Sequence, residues 1–471
     1  MAATSGQTFI DDSPWANWDS GTQNSTTGIT RNGARSPDAW VRVETDNSVT
    51  RQGGHYHDSS VEEELQLWED TSPQNIREYK QGSTIDWMHE ESAERARKQL
   101  LRSQLGLRGV LLPILDSWRM WAVLILTGLS IGYTGGMLDL LVAWLSDLRT
   151  GRCMSGLTYN QSACCNGLDP GEVCYEWVTW GAYFGVTSIA GQSVLQSVVY
   201  IGLAVCFAGS AAFLVQSYAP YAFHTGIPEI KAILGGLVLD EFLSPWTLLI
   251  KALGLALSVG SGLSLGKEGP LVHVSCCMAS LWSSILSFAF PSFGNYFQNQ
   301  SQSQRRKLLA AAATAGVAVA FGSPLGGVLF GLEELDSALF SNQQLMWRAF
   351  VTSVVAATTL AYIDPFGIGK LVLFQVTASQ QWRQFELVPW LGLGVLGGVL
   401  GALLIKLNAR VALYRNNSPL RNMKVFEVLI VTAITAVISW PIVFMRDQTS
   451  TLVANLFQEC EPSKDYHGLC K

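Results

Sequence analysis

Gly266-Lys267-Glu268-Gly269-Pro270 sets two opposite charges between residues 252–265 and 271–290, which carry no Asp, Glu, Lys or Arg. Each flank is too long and too apolar for a solvated loop. An ionisable residue inside a membrane segment costs at least about 2.5–3.5 kcal/mol and marks an ion pathway or a proton relay. The glycines free the backbone around the charges, and Pro270 suits the first turn of a helix starting there. Such a start points unpaired N–H groups at any nearby anion. Glu268 is then a tethered carboxylate at a site suited to a free anion.

The rest of the chain fits a membrane reading. Of 471 residues, 48% are hydrophobic and only 14% charged, where soluble domains carry nearer a quarter charged. Residues 1–110 are polar, and charge-free runs dominate after Trp118. Two regions are expected: a largely disordered, cytoplasmic N-terminal tail over 1–110 and a membrane domain over 111–471. The stretch 21–32 is low in complexity and cannot bury a core. A net charge of −6 gives no reason to expect nucleic acid as a partner. No basic start followed by an apolar core opens the chain, so no cleavable signal peptide is expected.

Residues 90–108 read as a basic, partly amphipathic helix whose charge places the tail in the cytoplasm. Apolar segments follow at 120–138, within 178–228 up to Ala219-Pro220, from Ser244-Pro245 to about Gly260, and at 270–290, 308–322, 323–334, 349–363, 387–405 and 428–445. Several fall short of the ~20 residues of a perpendicular span, and Gly or Pro breaks many. Short, interrupted segments are the pattern of transporters whose half-helices meet at a central site.

The basic stretches 305–307 and 410–424 should be cytoplasmic, with the cysteine loop 148–177 and the end 446–471 on the other side. Asn160-Gln161-Ser162 is a glycosylation sequon in that loop; Asn24, Asn299 and Asn416 also start sequons. Cys153, Cys164, Cys165 and Cys174 cluster there without zinc-ligand spacing, so no metal is expected. A disulfide requires an oxidising lumen. Cys206, Cys276 and Cys277 lie in apolar runs and read as packing residues; Cys460 and Cys470 lie near the end.

Two further segments share the character of the Glu268 stretch. In Thr225-Gly226-Ile227-Pro228-Glu229-Ile230-Lys231 a hydroxyl precedes Gly and Pro at a helix start. The hydroxyl either donates to an anion or caps the helix. Gly322-Ser323-Pro324-Leu325-Gly326-Gly327 leads into Leu332-Glu333-Glu334. The paired carboxylates are either a solvated helix end or a proton entry toward Glu268. A phosphate loop fails at the Glu268 segment twice, because Ser261 stands where it needs Gly and Glu268 where it needs Ser or Thr.

Together the segments His224-Thr225-Gly226-Ile227-Pro228, Gly266-Lys267-Glu268-Gly269-Pro270 and Phe330-Gly331-Leu332-Glu333-Glu334 resemble the CLC family of chloride channels and chloride/proton exchangers. The resemblance runs from about Thr84 to the C-terminus. The Lys of the second motif, the cysteine loop, and residues 262–265 and 270–274 look most like the vesicular, endosomal branch. The wording of the helices looks fungal. The resemblance implies an all-α, multi-pass, inverted-repeat fold with broken half-helices. It implies Glu268 as the gating glutamate and Glu334 as the internal proton glutamate. Thr225, Gly226, Ile227, Pro228, Gly266, Lys267, Gly269 and Pro270 would surround chloride. His224 replaces a Gly and Thr225 a Ser of the family pattern.

The first repeat is expected to be complete and the second only begun, since the later G-x-F-x-P helix start and the CBS domains are not found by Lys471. The function expected from these readings is voltage-dependent chloride/proton antiport in a Golgi, endosomal or vacuolar membrane. No cofactor is expected. The partners would be chloride, protons, lipid and a second copy. The rivals are a passive chloride channel of the same fold and a non-conducting fragment. An enzyme is not expected, because no Ser/His or Asp/Asp pair sits at catalytic spacing.

Overall fold

The structure is a computed structural model. It describes residues 79–103, 106–165, 174–289, 301–335, 343–363, 383–418, 423–446 and 452–453. The expected disorder of the tail up to residue 78, the Asn24 and Asn299 sequons, and Cys460 and Cys470 lie outside these residues, while the described end of the tail is largely helical.

Helix α1, Trp87–Ser103, opens with Asp86, whose Oδ1 accepts from the Met88 N–H at 3.1 Å. It begins three residues before the expected start and stops short of Gly106, whose φ of 75° breaks the path. Arg97 clamps it to the next helix. It donates to Glu94 at 2.9 Å and to Asp116 at 2.8 Å, while Gln304 donates to Glu94 at 2.7 Å. Burial alone would raise the Glu94 acid, but the hydrogen bonds and charge of Arg97 hold it at about 2.

Helix α2 runs Leu107–Thr150, far beyond the 19 uncharged residues read as the first span. Its 44 residues are about 66 Å long at the α-helical rise. Asp139, which ends the uncharged run, sits inside the helix because it has a partner there. Residues Gly151–Cys153 (β1) and Trp177–Thr179 (β2) then pair antiparallel.

The remaining principal helices are α3 (Ile189–Tyr218), α4 (Ile227–Gly235), α5 (Pro245–Gly260), α6 (Glu268–Ala289), α7 (Gln302–Phe321), α8 (Pro324–Phe330), α9 (Gln343–Ile363), α10 (Leu387–Asn417) and α11 (Lys424–Ser439). Starts follow the sequence cues. Ser244 Oγ accepts from Thr247 N–H at 3.2 Å before Pro245, and Ser323 Oγ accepts from Gly326 N–H at 3.2 Å before Pro324. Among the described residues five helices are long and apolar enough to cross a membrane. With nine residues, α4 is too short to cross, and so is α8 with seven.

The core joins α2, α5, α6, α7 and α9 through Ile131, Leu145, Ala256, Val274, Ala315 and Ala356. Between helices in lipid, close packing replaces the hydrophobic effect, so small residues line the contacts. Gly132 of α2 lies against the Ala356 carbonyl, and a Cβ at Gly128 would stand 3.0 Å from the Thr352 carbonyl. Helix α7 is buried from Leu308 to Ala320. Cys276 and Cys277 are buried, as expected of packing residues, but Cys206 is exposed on α3, which corrects that reading. No residue of the apolar window of α10 is buried.

Candidate functional site at two facing helix starts

Gly226 caps α4 with φ 102°, a left-handed conformation that favours glycine. A Cβ there would also meet the His273 Cβ at 2.6 Å. On α6, a Cβ at Gly269 would stand 3.0 Å from the Thr225 Cβ. The glycines of two motifs thus allow the starts of α4 and α6 to touch. Thr225 is exposed, and its hydroxyl makes no hydrogen bond among the described residues. Of the two sequence readings, a helix cap and an anion donor, the cap is not made. Ile227 and Pro228 form the first turn behind it.

Glu268 is the first residue of α6 and is half-buried. Its Oε2 lies 2.6 Å from where a Gly266 Cβ would be. A side chain at 266 would displace the carboxylate, so glycine there gives it room. Pro270 occupies the first turn of α6, where its missing N–H costs nothing. Lys267 does not extend freely: its ammonium donates to Asp139 of α2 at 2.9 and 3.1 Å. Both side chains are mostly buried, at 18% and 12% exposure.

The third motif ends in a π-helical turn, Gly331–Leu335, which continues α8. Glu334 there accepts from Lys231 of α4 at 2.7 Å, with both side chains roughly half exposed. Glu333 is exposed and makes no ion pair among the described residues. Three distant motifs therefore converge on α4: Thr225 at its start touches α6, and Lys231 reaches the turn after α8.

Sequence reasoning missed the polar scaffold behind α4. Lys251 of α5 is buried and donates to the Ala222 carbonyl at 2.8 Å and to the His224 carbonyl. His224 Nδ1 lies 2.6 Å from Glu229, and His273 Nε2–H donates to the Phe242 carbonyl at 2.8 Å. These contacts fix the backbone that leads into Thr225. Lys251 was visible as a lone cation in the apolar segment 245–260. Asp139 gave no comparable cue, because its partner is 128 positions away.

Arg149 secures the turn before the Glu268 segment. It is buried, donates to the Ser261 carbonyl at 3.1 Å and lies over the Tyr200 ring at 4.8 Å. Gly262, φ 83°, leaves space for its guanidinium. In the cysteine loop, Cys153 pairs with Cys164 and Cys165 with Cys174, so these sulfurs are linked rather than offered as thiolates. Asn160 uses its Oδ1 to cap the short helix Gln161–Cys164, accepting from Ala163 N–H at 2.9 Å.

Comparisons with known proteins identify the family. The chain is 40% identical over 406 residues to H(+)/Cl(-) exchange transporter 3 of Homo sapiens, covering 84% of this chain and 48% of the relative. It is 40% identical over 390 residues to H(+)/Cl(-) exchange transporter 5 of Rattus norvegicus, covering 81% and 46%. The chain thus spans about half the length of the curated relatives it matches. The crystal structure of a eukaryotic CLC transporter aligns with TM-score 0.52 at 24% identity, over 70% of this chain and 50% of that one. That of a slow cyanobacterial Cl-/H+ antiporter aligns with TM-score 0.52 at 21% identity, over 68% and 64%. Both likenesses speak to fold. The family described as "Voltage gated chloride channel" matches residues 177–467. The chain is an all-α, multi-pass membrane protein, and it belongs to the voltage-gated chloride channel, or CLC, family.

Proposed function

We propose that the chain carries the anion and proton elements of a voltage-dependent chloride/proton exchanger, in line with the names of its relatives. The observation that carries the reading is the meeting of Thr225 and the Glu268 helix start at Gly269. Two helix N-termini and an unspent hydroxyl suit a dehydrated chloride. Glu268 competes for that place when ionised and leaves it when protonated. Burial favours the neutral carboxyl and a helix N-terminus the ionised one, so proton supply and chloride both move it. Glu334 hands protons inward from the turn after α8, beside Lys231. The reading is transport rather than enzymatic turnover, and it needs no cofactor.

The paired cysteines support an oxidising compartment for the loop between α2 and α3, with α1 at the opposite, cytoplasmic end of α2. That fits an endomembrane such as Golgi, endosome or vacuole. A second copy is the proposed protein partner. The test is chloride-driven proton uptake into vesicles holding this chain extended to family length with the matching segment of transporter 3. Chloride flux without proton movement would favour the passive channel.

A further inference from the structure

A cavity of about 380 Å³ opens where α1, α2, α7 and α9 meet, away from Thr225 and Glu268. Its polar lining is dominated by Lys98, Arg102, Lys307 and Arg348, against the single acid Asp116. Both Asp116 oxygens already accept from Arg97, at 3.2 and 2.8 Å. Lys98 has Glu94 at 3.4 Å, but that carboxylate is shared with Arg97 and Gln304. The side chains of Arg102, Lys307 and Arg348 make no ion pair or hydrogen bond among the described residues. Lys307 and Arg348 are half-buried; Lys307 feels the repulsion of Lys98 and Arg348 and the attraction of Glu91 and Glu94, and Arg348 the attraction of Asp116. Four cations around a cavity whose single lining acid, Asp116, is already held by Arg97 leave an excess of positive charge that suits an anion.

The apolar lining narrows the anion. Trp121 and Trp347 border the cavity, Trp347 is exposed, and Trp118 is exposed one turn before Trp121. Tryptophans with an apolar body and a polar edge settle at the membrane interface. Basic pockets between transmembrane helices hold anionic lipid head groups. A small soluble anion would have no use for the indoles. We propose that this cavity binds the phosphate of an acidic phospholipid, held by Lys307 and Arg348, with the lipid's apolar part along Trp347. The lipid would brace α1 against α2, α7 and α9. This inference is independent of the transport reading.

The test uses the whole 471-residue chain in detergent and fluorescent short-chain phosphatidic acid as probe. Phosphatidic acid should bind, and phosphatidylcholine should not compete. Lys307→Gln and Arg348→Gln should each weaken binding on the order of tenfold, the worth of one charge-assisted hydrogen bond. Lys307→Arg should retain it, and Lys406→Gln on α10, away from the cavity, should leave it unchanged. Equal losses for Lys406→Gln and Lys307→Gln would mean unspecific charge attraction and overturn the site. Loss with both Lys307→Arg and Lys307→Gln would mark a structural lysine and also overturn it. Displacement by inorganic phosphate at concentrations equal to the lipid's would overturn the lipid assignment in favour of a soluble phosphate compound.

Discussion

The Lys231 ammonium stands 2.7 Å from the Glu334 carboxylate, although 103 positions separate them in the chain. The pair ties the half-helix that presents Thr225 to the turn that ends the third motif. Proton and anion branches of the proposed exchanger therefore share one element, α4. Removal of Glu334 should then silence the proton branch without dismantling the anion site.

On a chain extended to family length, Glu334→Ala should lower proton transport by roughly a hundredfold or more, as loss of a proton-transfer group does. Chloride flux should persist. Glu333→Ala should be mild, because Glu333 projects elsewhere on the turn and pairs with nothing described. Proton flux at a fixed chloride gradient compares the two. Equal effects would remove the distinction between the carboxylates.

Thr225→Val replaces an unspent hydroxyl with a methyl of similar size. A hydrogen bond to a charged group contributes about 1.5–3 kcal/mol, so chloride affinity should fall by at least about tenfold. Thr225→Ser should stay near the parent. Titration calorimetry with chloride reads the difference, and identical affinities would exclude the hydroxyl from the site.

Asp139→Asn leaves the mostly buried Lys267 ammonium without its carboxylate. Breaking a buried pair on one side costs about 3–5 kcal/mol. The melting temperature of the purified chain should drop markedly. Asp139→Leu combined with Lys267→Met should recover much of it, because no lone charge is left behind. Additive losses in the double variant would contradict the pairing.

Glu94 titrates at about 2 in the fold against an ordinary 4.5. A depressed carboxyl contributes stability that is complete above its unfolded pKa and lost as pH falls through the folded one. Docking of α1 should therefore weaken as pH falls from about 4.5 to about 2. Hydrogen exchange of the α1 amides should accelerate over that window. In Glu94→Gln the same amides should exchange fast already at neutral pH, with a much smaller pH response.

Local signals carried much of the fold. Ser244-Pro245 and Ser323-Pro324 gave the starts of α5 and α8, and Gly266–Pro270 gave the break before α6, because caps and prolines act within a few residues. The long α2 was not legible, since a lone Asp139 in an apolar run reads as a boundary until its partner Lys267 is known. The same holds for Lys231 with Glu334 and for Arg149 behind Gly262. Such pairs are created by the packing of helices, and no local pattern announces them. Sequence reading named the residues of the three motifs and missed Asp139, Lys251 and Arg149, which pack behind them.

The most direct measurement of the central claim is proton uptake driven by a chloride gradient, compared between the parent and Glu268→Gln in vesicles at family length. Gln mimics the protonated carboxyl and cannot carry a proton. The account predicts that chloride still crosses and that chloride-driven proton movement disappears. Proton uptake in Glu268→Gln equal to that of the parent would contradict it.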